Sequence, residues 1–168
     1  GDVKISTATW RRWESKVDRT VTDNGETIDL DMLSEEERYH VTDDVIIPLL
    51  TSAVLNINAT FCYDLTDAAI LAVAANCPHL RCLTVTGCFC TDAAIIAVAR
   101  PELEYLHVDK CSHLTSASIE AVAAKCPHLH GFQVDGGSEL TDASIAAVAE
   151  NCHQLKKLKI GCGSNLTA

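Results

Sequence analysis

Four side chains of this 168-residue sequence have the types and spacing of metal ligands: Cys88, Cys90, Cys111 and His113. Cysteine and histidine both ligate zinc, and two neighbouring strands ~4.8 Å apart would bring such groups together at the strand exits. A second grouping, His107 two residues before Asp109, has the makings of a general base and the carboxylate that orients it. Neither grouping carries its chemistry through. Cys88 and Cys111 share their position with Cys62 in a spacing that recurs along the chain, and there cysteine serves as a small apolar filler, so no metal is expected. No Ser or Cys nucleophile stands beside His107. The sequence has no Gly-rich phosphate loop, no HExxH and no nucleophile elbow, and Gly136-Gly137 is isolated at a strand end. His79 and His128, each in Cys-Pro-His-Leu, take turn positions held elsewhere by Glu102 and Gln154 and read as exposed polar residues. The expectation is a protein that is not an enzyme, with no catalytic residue and no cofactor.

The elements that would position these groups follow from the recurring spacing, L-x-x-L-x-L/V-x-x-C. It runs through Leu103, Leu106, Val108 and Cys111, and again through Val54, Ile57, Ala59, Cys62; Leu80, Leu83, Val85, Cys88; Leu129, Phe132, Val134, Gly137; and Leu155, Leu158, Ile160, Gly163. Each register is one strand and turn of a leucine-rich repeat. Between strands lies an Ala-rich helix opening at Thr42-Asp43, Thr66-Asp67, Thr91-Asp92, Thr115-Ser116 or Thr141-Asp142, where Thr supplies the N-cap oxygen and Asp favours the positive end of the helix dipole. Apolar positions at helical spacing (Ile46, Leu49, Leu50; Ile70, Val73, Ala74; Ile95, Val98, Ala99; Ile119, Val122, Ala123; Ile145, Val148, Ala149) are expected to face the core. The helices close at Asn76-Cys77-Pro78, Lys125-Cys126-Pro127 and Asn151-Cys152-His153; proline cannot continue a helix. The first and third units lack this Cys-Pro step and are two residues shorter between Thr and the strand, and Pro48 makes the first unit irregular. From Ile57 to Leu83, Leu106, Phe132 and Leu158 the steps are 26, 23, 26 and 26 residues.

Alternation along each strand turns two residues per unit away from the core: Asn58 and Thr60; Thr84 and Thr86; His107 and Asp109; Gln133 and Asp135; Lys159 and Gly161. The residue before each core leucine adds Asn56, Cys82, Tyr105, Gly131 and Lys157. This face grades from amides and hydroxyls to Lys157 and Lys159, a polar surface suited to recognising a protein segment by hydrogen bonds and a few charges.

Residues 1–40 read as an N-terminal capping segment and 41–168 as about five repeats, the last incomplete. Trp10, Trp13 and Val17 fall on one face of a short helix that would cover the open apolar end of the first repeat; Trp10 and Trp13 are also candidate partner contacts. Ile28, Leu30 and Leu33 read as an atypical first strand, and Ser34-Glu35-Glu36-Glu37-Arg38 as a solvated loop. Asn165-Leu166-Thr167-Ala168 reads as the opening of a further helix, which implies a fragment or an end covered by another subunit. The net charge of −10, from 23 acids against 13 bases, argues against nucleic acid as the partner, and no apolar run reaches the ~20 residues of a membrane span. Nine cysteines, an odd count of which most stand at equivalent repeat positions, fit an intracellular, reducing compartment.

With a 26-residue unit, Cys77, Cys126 and Cys152 at helix ends, Cys62, Cys88 and Cys111 after strands, and Leu-Thr-Asp opening the next helix, residues 41–168 resemble the cysteine-containing leucine-rich repeats of the RNI-like superfamily. That resemblance implies a right-handed solenoid, a horseshoe with a parallel sheet on its concave face and helices on its convex face, which binds proteins through the sheet. The family includes the F-box leucine-rich-repeat proteins, substrate receptors of Skp-cullin-F-box ubiquitin ligases, although residues 1–40 lack the Leu-Pro start and apolar helix positions of an F-box. The repeats are also similar to small mitochondrial factors such as ATP synthase factor B, through Trp10, Trp13 and overall size. Three functions are therefore expected of the fold: a noncatalytic protein-binding module, the substrate-recognition part of a ubiquitin ligase, or a structural or assembly subunit of a large, conceivably mitochondrial, complex.

Overall fold

A computed structural model describes residue 16 and residues 20–136 and 140–161; Trp10 and Trp13 lie outside these residues. Seven strands form one sheet in chain order: β1 (Val21–Thr22), β2 (Thr27–Asp29), β3 (Asn56–Thr60), β4 (Cys82–Thr86), β5 (Tyr105–Asp109), β6 (Gly131–Asp135) and β7 (Lys157–Ile160). β1 and β2 pair antiparallel across a short turn, and every later pair is parallel. Parallel neighbours need a crossover, and each unit supplies a helix for it. In chain order these are α1 (Glu35–Arg38), α2 (Asp43–Ile46), α3 (Asp67–Asn76), α4 (Asp92–Val98), α5 (Ser116–Lys125) and α6 (Asp142–Asn151).

The register is the one the spacing predicts. Ile28, Ile57, Leu83, Leu106, Phe132 and Leu158 are cross-strand partners in one row. All but Leu158 are buried, and they share one continuous core with Ala59, Val85, Val108 and Val134. Leu158, expected in that core, is 42% exposed, because its row has a neighbouring strand on one side only among the described residues. The residue after each of four strands takes a left-handed conformation: Phe61 (φ 60°), Gly87 (77°), Lys110 (58°) and Gly136 (93°). Glycine meets this demand freely, and Phe61 and Lys110 meet it against the usual steric cost of a side chain there.

Thr66, Thr115 and Thr141 cap their own helices through the side-chain oxygen, whereas Thr42 and Thr91 make no such bond, and the aspartates of these openings do more than favour the dipole. Asp43 accepts from the backbone N–H (2.9 Å) and hydroxyl (2.6 Å) of Thr66, Asp67 from those of Thr91 (2.7 and 2.5 Å), and Asp92 from those of Thr115 (2.9 and 2.6 Å). Each aspartate thus clasps the threonine one unit on. Ser116 replaces the aspartate once, its hydroxyl oxygen accepting from Thr141 N–H at 3.0 Å. Burial pushes the Asp92 carboxyl up, but hydrogen bonds from Thr115 and Ser118 outweigh it and hold the group below its ordinary value.

Two expectations need correction. Most of the expected helix positions are buried, among them Ile70, Val73, Ile95, Val98, Ala99, Ile119, Val122, Ala123 and Val148, but the core face also takes in the preceding residue, Ala69, Ala94, Ser118 and Ser144, while Leu49, Ala74 and Ile145 are half-buried and Ala149 is exposed. The clasp draws the first turn of each helix onto the sheet, and the buried serines satisfy themselves on the capping threonines' carbonyls, Ser118 on Thr115 (3.0 Å) and Ser144 on Thr141 (2.7 Å). Ser34–Arg38 is a capped helical turn rather than a loop. Ser34 and Glu37 exchange side-chain bonds in a capping box, and Glu37 also pairs with Lys16. The third unit is two residues shorter between Thr91 and its strand, as expected, and its turn from Cys88 to Thr91 lacks one more, which gives the 23-residue step. Cys90 therefore occupies the place that Leu65, Leu114 and Leu140 hold before their threonines, and like them it is buried.

Arg100 closes the third unit in the absence of the Cys-Pro step. Its guanidinium donates to the carbonyls of Cys77 (2.7 Å) and Ala74 (2.9 Å) at the C-terminus of α3, where orphan acceptors and the helix dipole favour a cation. No helix among the described residues is long and apolar enough to cross a membrane.

Candidate protein-binding face

The strand residues that alternate out of the core line up in three rows across the open side of the sheet. Thr27, Asn56, Cys82, Tyr105, Gly131 and Lys157 form the first, and Asp29, Asn58, Thr84, His107, Gln133 and Lys159 the second. Thr60, Thr86, Asp109 and Asp135 form the third. The pleat and the parallel register dictate this arrangement, since equivalent residues of successive units must stand side by side.

The rows differ in how free they are. Toward the N-terminal edge the amides are committed within the sheet. Asn58 donates to Asp29 (3.0 Å) while its carbonyl accepts from the Thr60 hydroxyl (2.6 Å), and Asn56 donates to Thr27 (3.2 Å). Thr86, expected on the exposed face, is only 4% exposed, and its hydroxyl accepts from the Phe61 backbone N–H at 3.0 Å. The left-handed turn after β3 brings that N–H over it. Thr86 supports the turn rather than facing a partner.

At the centre Asp109 is a hub. Its Oδ2 stands 2.6 Å from His107 Nε2, accepts from Gln133 Nε2 at 2.7 Å and lies 4.0 Å from Lys159 Nζ, which is equally 4.0 Å from Asp135. Its Oδ1 is buried and has no partner among the described residues. The His107–Asp109 pair anticipated from the sequence is therefore real, but no hydroxyl or thiol bonds the imidazole among the described residues.

Beside this hub lies the most open feature of the face. Tyr105 is 47% exposed, and its ring lies across Gly131, where an added Cβ would come within 2.7 Å of the ring. A hollow of about 190 Å³ is lined there by Thr84, Tyr105, His107, Gly131, Gln133 and Lys157. It has the size of one or two side chains, an apolar wall and several hydrogen-bonding groups. Lys157 and Lys159 are exposed at its rim.

Two surface features escaped the sequence reading. On the side where the chain enters the strands, Glu26, Arg81, Glu102, Glu104, His79 and His128 line a groove of about 510 Å³; the paired Cys-Pro-His-Leu turns were its only signal. On the exit side Tyr63 stacks with Tyr39 (ring centroids 5.0 Å) and Phe61 (6.1 Å), while the Arg38 guanidinium and Lys110 ammonium approach the Phe61 ring at 5.7 and 5.3 Å. Tyr63 covers Gly87, whose missing Cβ admits the ring. Phe61 and Tyr63, which flank Cys62, pointed to this cluster, but only the left-handed exits gather it.

Of the residues considered for metal chemistry, the fold brings three together. The Cys88 sulfur lies 2.8 Å from that of Cys90 and 3.6 Å from that of Cys111, all three side chains being buried. His113 is exposed and stands outside the group. Hydrogen-bond sharing with Cys88 and Cys90 holds Cys111 below the ordinary thiol range, while Cys88 and Cys90 are pushed up. Elsewhere burial is the main cause that raises the thiols, Cys62 to about 12 and Cys77 and Cys126 to about 11. Such cysteines are packing residues with little thiolate to react.

These features define a mostly parallel α/β array of repeat-like units, with helices packed on one face of the sheet and polar rows on the other. No family model and no curated protein matches the chain. Among solved structures it is similar to a chain in the crystal structure of the Rad7 and Elc1 complex in yeast, with a TM-score of 0.50 and 21% identity over 77% of this chain and 42% of that one. The chain thus spans less than half the length of that solved chain, and the likeness is one of fold.

Proposed function

We propose that the protein is a noncatalytic leucine-rich-repeat solenoid, a horseshoe that binds a protein segment along its concave sheet. The observation that carries this reading is the hollow between Tyr105 and Lys157, an exposed aromatic beside hydrogen-bonding groups on the open face of a sheet. An aromatic anchor in a pocket with a polar rim is the usual centre of a protein interface. The residues assigned to contact are Tyr105, His107, Gln133, Lys157 and Lys159, with Asp109, Asp135, Thr84, Asn58 and Thr60 as neighbours that set the local polarity. The net charge of −10 supports a protein rather than a nucleic acid as partner, and free cysteines support a reducing compartment, cytoplasm, nucleus or mitochondrion.

A second reading places the chain as the substrate-recognition part of a Skp-cullin-F-box ubiquitin ligase. Two things favour it: the resemblance of residues 41–168 to the repeats of F-box proteins, and the fold likeness to a chain crystallised in the Rad7 and Elc1 complex.

Affinity capture with this chain as bait, followed by mass spectrometry, separates the readings. Recovery of a Skp-type adaptor and a cullin supports the ligase; a partner without them supports the plain binding module. In either case Tyr105→Ala is expected to weaken capture by about 1–3 kcal/mol, the range of an interface hot spot, with the melting curve unchanged. Undiminished capture by Tyr105→Ala would remove the concave face from the reading.

A further inference from the structure

We propose that Cys88, Cys90 and Cys111 form a buried three-sulfur site for a soft monovalent cation, copper(I). The three sulfurs lie within 4.8 Å of one another at the exits of β4 and β5. Ligands ~2.3 Å from a common trigonal centre would stand about 4 Å apart, so the 3.6 Å pair is nearly in place and the 2.8 Å pair has to open by about 1 Å. Two sulfurs as close as Cys88 and Cys90 repel unless a proton or a cation lies between them.

Packing explains Cys88 and Cys111, which share their place with Cys62, but it does not explain Cys90. At that position the repeat takes leucine three times, as Leu65, Leu114 and Leu140, each buried. Only in this unit is the leucine exchanged for a sulfur, and only here is the turn one residue shorter, which carries the new sulfur toward the old ones.

The donor set selects the ion. A structural zinc site takes four ligands, and a catalytic one takes three plus an open position for water. Here the fourth candidate, His113, is exposed and outside the cluster, and the cysteines are 0–4% exposed, so neither arrangement is available. Soft thiolates favour copper(I), which accepts two or three sulfurs without water. Loading displaces thiol protons to solvent and changes no oxidation state. Phe89, between the two buried cysteines in sequence, is 64% exposed.

The test is an anaerobic titration of the full chain with copper(I) against a chromogenic copper(I) chelator. We expect one equivalent to resist the competitor, with an ultraviolet charge-transfer band and a raised thermal midpoint. Cys90→Leu restores the repeat's own residue, and Cys90→Ala serves if leucine is too large for the shortened turn. Either folded variant should lose affinity by on the order of a hundredfold or more, since loss of a ligand's outer-shell partner already costs about 10–100-fold. Cys82→Ser, on the open face and outside the cluster, should bind as the parent does. Equal affinity in parent and Cys90 variants overturns the site, as does retention of zinc in preference to copper(I).

Discussion

The residue that best shows how this fold uses charge is Asp92. Its carboxylate receives two bonds from Thr115, and although burial opposes ionisation, those bonds and others from Ser118 hold its pKa below the ordinary value of 3.8. A depressed folded-state pKa means that the unfolded chain takes up the proton first as pH falls. The clasp therefore stabilises the protein above the ordinary carboxylate range, and that contribution fades as pH drops through it toward the lower folded value. Urea midpoints measured from pH 7 down to about pH 3 should fall, and Asp92→Asn, already weak at pH 7, should flatten the acid limb. An unchanged limb would mean that the Asp92 bonds contribute nothing.

Elements follow from the repeat where the demand is local and depart from it where the partner is distant. Strand register, helix starts and Cys-Pro stops were legible because each depends on residues within one unit, and Ile57, Leu83, Leu106 and Phe132 fall in one row as their spacing requires. The Ser34–Glu37 capping box was equally local but hidden under a run of acids. The aspartate clasps were not legible, because Asp at the first helical turn has a sufficient reason in the helix dipole, and its second role spans 23 or 24 residues. The outward rows of the candidate face were legible from alternation. That Thr86 is buried was not, since it depends on a left-handed turn at Phe61. Arg100 belongs to the same class of long-range closure. Removing it as Arg100→Ala leaves the carbonyls of Ala74 and Cys77 without a charged donor, which should cost about 2 kcal/mol and speed amide exchange in the last turn of α3 before any other helix. Uniform exchange across α3–α6 would show that the Cys-Pro step closes α3 unaided.

For the whole molecule, the repetition of one unit makes stability a sum of units and junctions rather than of one undivided core. The junctions are not equal. Among the described residues three are clasped by an aspartate and one by the Ser116 hydroxyl, and a hydrogen bond to a carboxylate is roughly twice as strong as one between neutral groups. At neutral pH native-state exchange should show the Thr141 amide opening more readily than those of Thr66, Thr91 and Thr115.

Because a hydroxyl does not titrate in acid whereas a carboxylate does, this inequality has a sign that depends on pH. In neutral solution the junction at Ser116 is the weak link, and the segment from Thr141 onward should detach first. In acid the Asp92 clasp loses its charge while Ser116 keeps its bond unaltered, and the point of first parting moves back toward the middle of the chain. One serine in a row of aspartates thus works as a fuse whose position in the circuit is set by the proton concentration.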